Sequence, residues 1–436
     1  MEFLLGSGER VVATDSRPEE ELGLGRLGWR ERGVELVLGR HPETVLDGID
    51  RVIVSPGVPT DAPLIRLAAE RGVPVIGELE LAFESSRASW IAVTGTNGKT
   101  TTTALTGALV ETTGRRVLVG GNIGNALAGA AGELDEEGIV VAEVSSFQLD
   151  TAVTFRPHVA VLLNIREDHL DRYGTMDAYA TSKARIFMNQ TADDFAVLNV
   201  DEERVARLGG EIRGRVVPVS TTREVEGGVF VRGGRIVSRV RDREENVLHA
   251  SELAIPGPHN LANAVAALGA AFAVGVETGR AAEALRRFRP LEHRLEFVAE
   301  IDGVRYVNDS KATNVDSVAC ALASYGVPIV LIAGGRGKGA DYSELRGGVE
   351  RSVAHVVLIG EAADAIEESL AGIAPISRAA TLREAVDAAS RAAAPGSVVL
   401  LSPACASFDM FDDYEDRGRQ FKNEVARLAA ERAKRD

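Results

Sequence analysis

The run Gly95-Thr96-Asn97-Gly98-Lys99-Thr100, extended by Thr101, sets two glycines, one amine and three hydroxyls in seven consecutive positions. These residue types suit phosphate. Glycines let backbone N–H groups turn inward around an anion, and a helix N-terminus adds its dipole. Lys99 reaches terminal phosphates, and the Thr100 hydroxyl can hold Mg²⁺. An apolar strand, WIAVT, leads into the run, and the helix-forming TTTALTGALV follows. A plain glycine-rich turn explains neither the Lys–Thr pair nor that context, so nucleotide binding is the stronger reading. Val93 stands where the general G-x-x-x-x-G-K-[ST] pattern has glycine, so the loop is of a shorter type.

Two further groups lie at strand ends. Glu143 is the only charge at the end of the buried apolar run IVVAE. His169 follows a second such run, HVAVLLNI, within Arg166-Glu167-Asp168-His169. Open α/β sheets bind ligands at the carboxyl ends of their strands. A carboxylate and an imidazole beside a phosphate loop can hold Mg²⁺ ions that bridge phosphates. Alone, Glu143 reads equally as an arginine partner and His169 as a structural histidine; the loop favours the metal role.

Lysine usage adds a third clue. Lys and Arg together number 49, yet only six are lysines, at 99, 183, 311, 338, 422 and 434. Where a plain positive charge suffices, this chain uses arginine. Lys183 sits in DAYATSKARIF, an amphipathic helical pattern on which a solvated lysine would be ordinary. Lysine differs from arginine in that its amine can lose its proton when the environment demands it.

The elements that must position these groups alternate between short apolar runs and helical patterns, the signature of an α/β protein. With 436 residues the chain exceeds a single core. Strands at Val11–Ala13, Val34–Leu38, Val52–Ser55 and Val73–Ile76 and a helix at Ala62–Arg71 suggest a small parallel domain over 1–88. A central domain over 89–289 carries the phosphate loop, a hairpin at VFVRGGRIV and the apolar helix HNLANAVAALGAAFAVG. RFRPLEHR marks a break, and 290–436 has strands PIVLIAGG, HVVLIG and SVVLLS. The formal net charge of −15 argues against a general partner for nucleic acid or anionic membrane. No apolar run approaches the roughly 20 residues needed to cross a bilayer. Cys320 and Cys405 lie far apart in apolar surroundings and fit buried thiols of a reducing compartment. A cytoplasmic monomer is expected.

GTNGKTTT, GNIG at 121–124, EVSSFQLD, NIREDHLDRY and SKARIF resemble the Mur ligase family of ATP-dependent peptide-bond-forming enzymes. The resemblance covers nearly the whole chain. It implies three α/β domains: a Rossmann-like N-terminal domain, a P-loop ATPase-like parallel sheet and a Rossmann-like C-terminal domain. It implies ATP and two Mg²⁺ ions held by Thr100, Glu143, His169 and Lys183, with Lys183 carbamylated. It also implies Asn260 near the adenine, Arg294 and Asp309 reaching the ATP from the third domain, and Asn122, Ser145 and His169 near a muramoyl substrate. LEHRLEFV, YVNDSKATNVDS, IAGGRGKGADYS and LLSPACASFDMFDDYEDRG resemble the branch that adds D-glutamate to UDP-N-acetylmuramoyl-L-alanine. Lys311, Thr313, Lys338, Ser407 and Tyr414 are then the D-glutamate candidates, and an amino acid with two carboxylates needs such donors. Arg336 before Gly337-Lys338 departs from the acidic residue common there in the family. A family member with another amino acid or a folate substrate stays open at this stage, as does a nucleotide switch without ligase activity.

The family's N-terminal domain normally opens with a strand and a glycine-rich loop that receives the uridine diphosphate. Here MEFLLGSGERVVATDSR reads as the end of the first helix entering the second strand. Asp15, Ser16, Arg17 and the turn at Ser55 match later parts of that nucleotide site. A start codon set too late, a truncated clone or a differently built pocket each account for this, and the first is preferred. Weakened affinity for the UDP substrate is expected; a KM equal to that of an upstream-extended chain would contradict it.

Overall fold

The computed structural model describes all residues except 23–27, 56–57, 123–126, 242, 256, 290–291, 338–339 and 433–436. Four short strands open the chain: β1 Val12–Asp15, β2 Glu35–Leu38, β3 Val52–Val54 and β4 Val75–Gly77. Their parallel strands form two separate pairs, β1 with β2 and β3 with β4, in place of one small sheet. A helix, Glu2–Gly6, precedes β1.

The central sheet contains β5 Ser89–Thr94, β6 Val117–Gly121, β7 Ile139–Glu143, β8 Val159–Leu162, β9 Phe195–Asn199, β10 Arg215–Ser220, β11 Val229–Arg232, β12 Arg235–Ser238 and β13 Glu245–His249. Their order is β13-β12-β11-β10-β9-β8-β5-β7-β6. Strands β5 to β9 read as near-continuous apolar runs because both sheet faces are covered. On β5, Ile91 and Val93 join a core that includes Leu105 and Leu109 of the phosphate-loop helix, whereas Trp90 and Ala92 enter the opposite core with Phe155 and Leu162. Each fully buried aliphatic side chain here contributes about 1.5–3 kcal/mol over exposure. The hairpin β11–β12 turns on Gly233 and Gly234, with φ of 56° and 75°, the left-handed pair a two-residue turn requires.

The third sheet contains β14 Glu296–Ile301, β15 Val304–Asn308, β16 Ile329–Gly334, β17 Val353–Ile359, β18 Ile376–Arg378 and β19 Val398–Leu401. Their order is β14-β15-β19-β16-β17-β18. β14 is antiparallel to β15 at the sheet edge, and its Phe297 is 60% exposed. A half-solvated edge strand lacks the continuous apolar run that marks the central strands, so LEFV is legible as a motif and not as a strand. No helix among the described residues is long and apolar enough to cross a membrane.

Candidate active site

Sheet order places the chemistry. β7 and β8 flank β5, so the segments following all three strands meet at one end of the sheet. The loop after β5 passes through Gly98 with φ 80° into the helix Lys99–Glu111. The left-handed φ at Gly98 favours glycine, and a Cβ there would lie 2.2 Å from Asn263 Oδ1 and displace that side chain. Asn164, just beyond β8, braces the loop: its Oδ1 accepts from the Asn97 N–H at 2.8 Å and its Nδ2 donates to the Asn97 carbonyl at 3.0 Å. Thr96 Oγ1 accepts from the Arg166 N–H at 2.9 Å. Lys99 folds back on the loop, its Nζ donating to the carbonyls of Gly95 (2.9 Å) and Thr96 (2.8 Å). Burial lowers its pKa, and the Glu143 charge opposes that shift.

Glu143 is buried at the end of β7. One carboxylate oxygen accepts from Asn122 Nδ2 at 3.0 Å; the other is buried without a hydrogen-bond partner among the described residues. An orphaned buried carboxylate oxygen is costly, and a cation is the natural group to satisfy it. Lys183 is 1% exposed, so the helix Met176–Ala184 turns its lysine inward and not to solvent. Its Nζ donates to the Gly95 carbonyl at 2.9 Å and sits 4.5 Å from the Tyr179 ring centroid. Lys99 and Lys183 therefore share one acceptor. Burial first, and the Lys99 charge second, drive the Lys183 pKa well below its ordinary value and favour the neutral amine. His169 takes a left-handed conformation (φ 55°) ahead of the short helix Leu170–Tyr173. Its ring packs 4.8 Å from Phe147 and 6.2 Å from Tyr179, so Tyr179 contacts both His169 and Lys183. The buried second oxygen of Glu143 fits a hard cation such as Mg²⁺.

The C-terminal sheet closes the cleft from above. Arg294 Nη2 donates to Thr100 Oγ1 at 2.9 Å, and Ser317 Oγ donates to Asn97 Oδ1 at 3.0 Å. Asp309, just past β15, accepts from the Leu295 N–H (3.2 Å) and from Ser402 Oγ (2.8 Å); burial pushes its pKa up to about 7. The cleft is lined by Asn97, Thr101, Asn260, Asn263, Arg294 and Asp309, among others, has a volume of about 210 Å³ and opens to solvent at its mouth. Asn260 and Asn263 reach it together because they stand three residues apart on the helix Pro258–Ala273.

The remaining candidates form two other groups. Lys311 Nζ lies 3.9 Å from the Tyr414 ring centroid, and its pKa is pulled down to about 8 by burial and then by Arg294. The Thr313 N–H donates to the Lys311 carbonyl at 2.9 Å. Ser407 is buried, and its carbonyl accepts from the N–H groups of Met410 and Phe411. Burial raises the Tyr414 pKa, and its hydroxyl donates to Glu415 at 2.9 Å. Lys338 lies outside the described residues. In the N-terminal unit, Arg17 donates to both carboxylate oxygens of Asp15 (3.1 and 3.0 Å) and holds its pKa down to about 2. Ser16 and Ser55 are exposed. Ser145 caps the helix Ser146–Asp150 in a capping box with Gln148, so its hydroxyl has a structural task of its own. Asn164 and Asn263 escape a sequence reading centred on charge. The signals were an amide ending the run HVAVLLN and a second amide one helical turn beyond Asn260.

A P-loop enzyme whose nucleotide cleft is capped by a second α/β domain is the class this geometry defines. Residues 93–271 match the Mur ligase middle domain, 293–405 the Mur ligase glutamate ligase domain and 1–77 the Mur ligase MurD-like N-terminal domain. The UDP-N-acetylmuramoylalanine–D-glutamate ligase of Pelotomaculum thermopropionicum is 49% identical over 432 residues, covering 98% of this chain and 94% of that protein. The pseudomurein peptide ligase type C of Methanothermus fervidus shares the fold with a TM-score of 0.64 at 17% identity, over 98% of this chain and 96% of that one. The MurF ligase of Thermotoga maritima, solved in complex with ADP, does so with a TM-score of 0.59 at 18% identity, over 88% and 97%. The chain belongs to the Mur ligase family.

Proposed function

We propose that this family member joins D-glutamate to UDP-N-acetylmuramoyl-L-alanine at the expense of ATP, a step of peptidoglycan precursor synthesis, as the name of its 49%-identical relative describes. The observation that carries the ATP-dependent part is the convergence of the phosphate loop, Arg294 and Asp309 on one cleft. The carboxylate of the UDP substrate attacks the γ-phosphorus, giving an acyl phosphate and ADP. The amine of D-glutamate then attacks the acyl carbon and loses a proton, and phosphate departs with the former carboxylate oxygen.

Lys99 leaves the carbonyls of Gly95 and Thr96 for the phosphates, a move that pairs its buried charge with an anion. Arg294 already touches Thr100 and adds positive charge from the far side of the cleft. Asp309 holds Leu295 and so fixes the backbone beside Arg294. Mg²⁺, two ions by family resemblance, fits Thr100, Glu143, His169 and a carbamylated Lys183, and when bound supplies charge neutralisation on the phosphates. The carbamate forms when the neutral Lys183 amine adds to CO₂ and releases a proton; the burial of Lys183 supports that state. Lys311 and the buried segment around Ser407 receive the carboxylates of the amino acid.

An amino-acid panel in a phosphate-release assay with ATP and the UDP substrate tests the reading. Turnover is expected with D-glutamate and not with L-glutamate. Equal rates with both, or ATP hydrolysis indifferent to either substrate, would contradict it.

A further inference from the structure

Arg417 is among the largest fully buried side chains, with 0% exposure. Its guanidinium forms no ion pair with a carboxylate among the described residues. Nε donates to Ser310 Oγ at 2.9 Å and Nη2 to the Ser310 carbonyl at 2.8 Å. Nη1 donates to the carbonyls of Cys405 (3.2 Å) and Ala406 (3.4 Å). Ser310 precedes Lys311, and Ala406 precedes Ser407. Ala406 in turn exchanges two backbone hydrogen bonds with Arg336, and a Cβ on the adjacent Gly335 would stand 3.3 Å from Arg417 Nη1. Ser310 Oγ passes the link on, donating to the Tyr414 carbonyl at 2.8 Å. One side chain thus ties together the backbone of every described segment that bears a D-glutamate candidate.

The charge matters as well as the fork. A buried cation is costly, and burial pulls the pKa of this guanidinium down to about 10 against the opposing charges of Cys405 and Asp409, neither of which pairs with it directly. Arg417 also lies in the first turn of the helix Tyr414–Arg432, where the helix dipole disfavours positive charge. Carbonyl groups alone would be held as well by a neutral donor at lower cost. A cation enclosed behind an anion site, with no carboxylate in direct contact among the described residues, is stabilised when that anion arrives.

We propose that Arg417 is a positioning residue of the amino-acid site, fixing the Ser310–Lys311 and Ala406–Ser407 segments and supplying positive potential to a dicarboxylate substrate it does not touch. The inference rests on the D-glutamate reading and deepens it. Its test measures KM for D-glutamate, ATP and the UDP substrate in R417K, R417M and S310A, each verified as folded by circular dichroism and thermal melting. R417M is expected to raise KM for D-glutamate roughly tenfold or more while the other two KM values stay within about twofold. R417K keeps the charge and loses the fork, so it should fall between R417M and the parent. If R417M fails to fold, R417K and S310A carry the same comparison. Loss of melting temperature with all three KM values unchanged, or all three shifted together, would overturn the proposal. A parent enzyme without D-glutamate turnover would instead overturn the function on which it rests.

Discussion

Lys183→Ala is expected to lower kcat by about 10²–10³-fold, the usual cost of removing a preorganised charge-stabilising group. Lys183→Arg is expected to do no better. A surface cation would tolerate arginine, which this chain uses nearly everywhere. Lys183 instead is enclosed, shares the Gly95 carbonyl with Lys99 and is driven toward its neutral form. Arginine cannot become neutral there and cannot become a carbamate. A second fixed cation beside Lys99 would also repel it. Formate or acetate added to Lys183→Ala should restore part of the rate by replacing the lost carboxylate-like oxygens. Full activity of Lys183→Ala or Lys183→Arg in a steady-state phosphate-release assay would remove the carbamate role.

Lys99→Met is expected to reduce kcat/KM by about 10³-fold, because phosphoryl transfer depends almost entirely on positioning and charge stabilisation. In the loop Lys99 satisfies two carbonyls, and Thr96 and Asn97 are held independently by Arg166 and Asn164. The loop should therefore keep its shape without the amine, so a folded and inactive variant is the expected result. Thermal melting separates this from unfolding. A Lys99→Met enzyme that melts like the parent and retains more than about a tenth of its kcat/KM would show that Lys99 is not the phosphate-reaching group.

Much of the fold is legible because buried parallel strands leave continuous apolar runs. β5, β7 and β8 can be read directly, and the charges that end or follow them land at one end of the sheet. β14 is harder, since an edge strand with an exposed Phe297 mixes polar and apolar residues without a clear period. The separation of the N-terminal strands into two pairs is not encoded in strand composition at all. Within the site, lysine scarcity singles out Lys183, but its burial is a tertiary fact: the Met176–Ala184 helix, expected to be amphipathic, has no strongly apolar face and buries Tyr179, Ser182 and Lys183. Asn164 and Arg417 act through backbone groups of residues distant in sequence, and no local pattern marks such partners.

Transfer of oxygen from substrate to phosphate tests the central claim most directly. UDP-N-acetylmuramoyl-L-alanine labelled with ¹⁸O in both carboxylate oxygens is turned over with ATP and D-glutamate, and the released phosphate is analysed by mass. Carboxylate activation through an acyl phosphate predicts one ¹⁸O atom in each phosphate formed. Unlabelled phosphate released alongside amide product would contradict it.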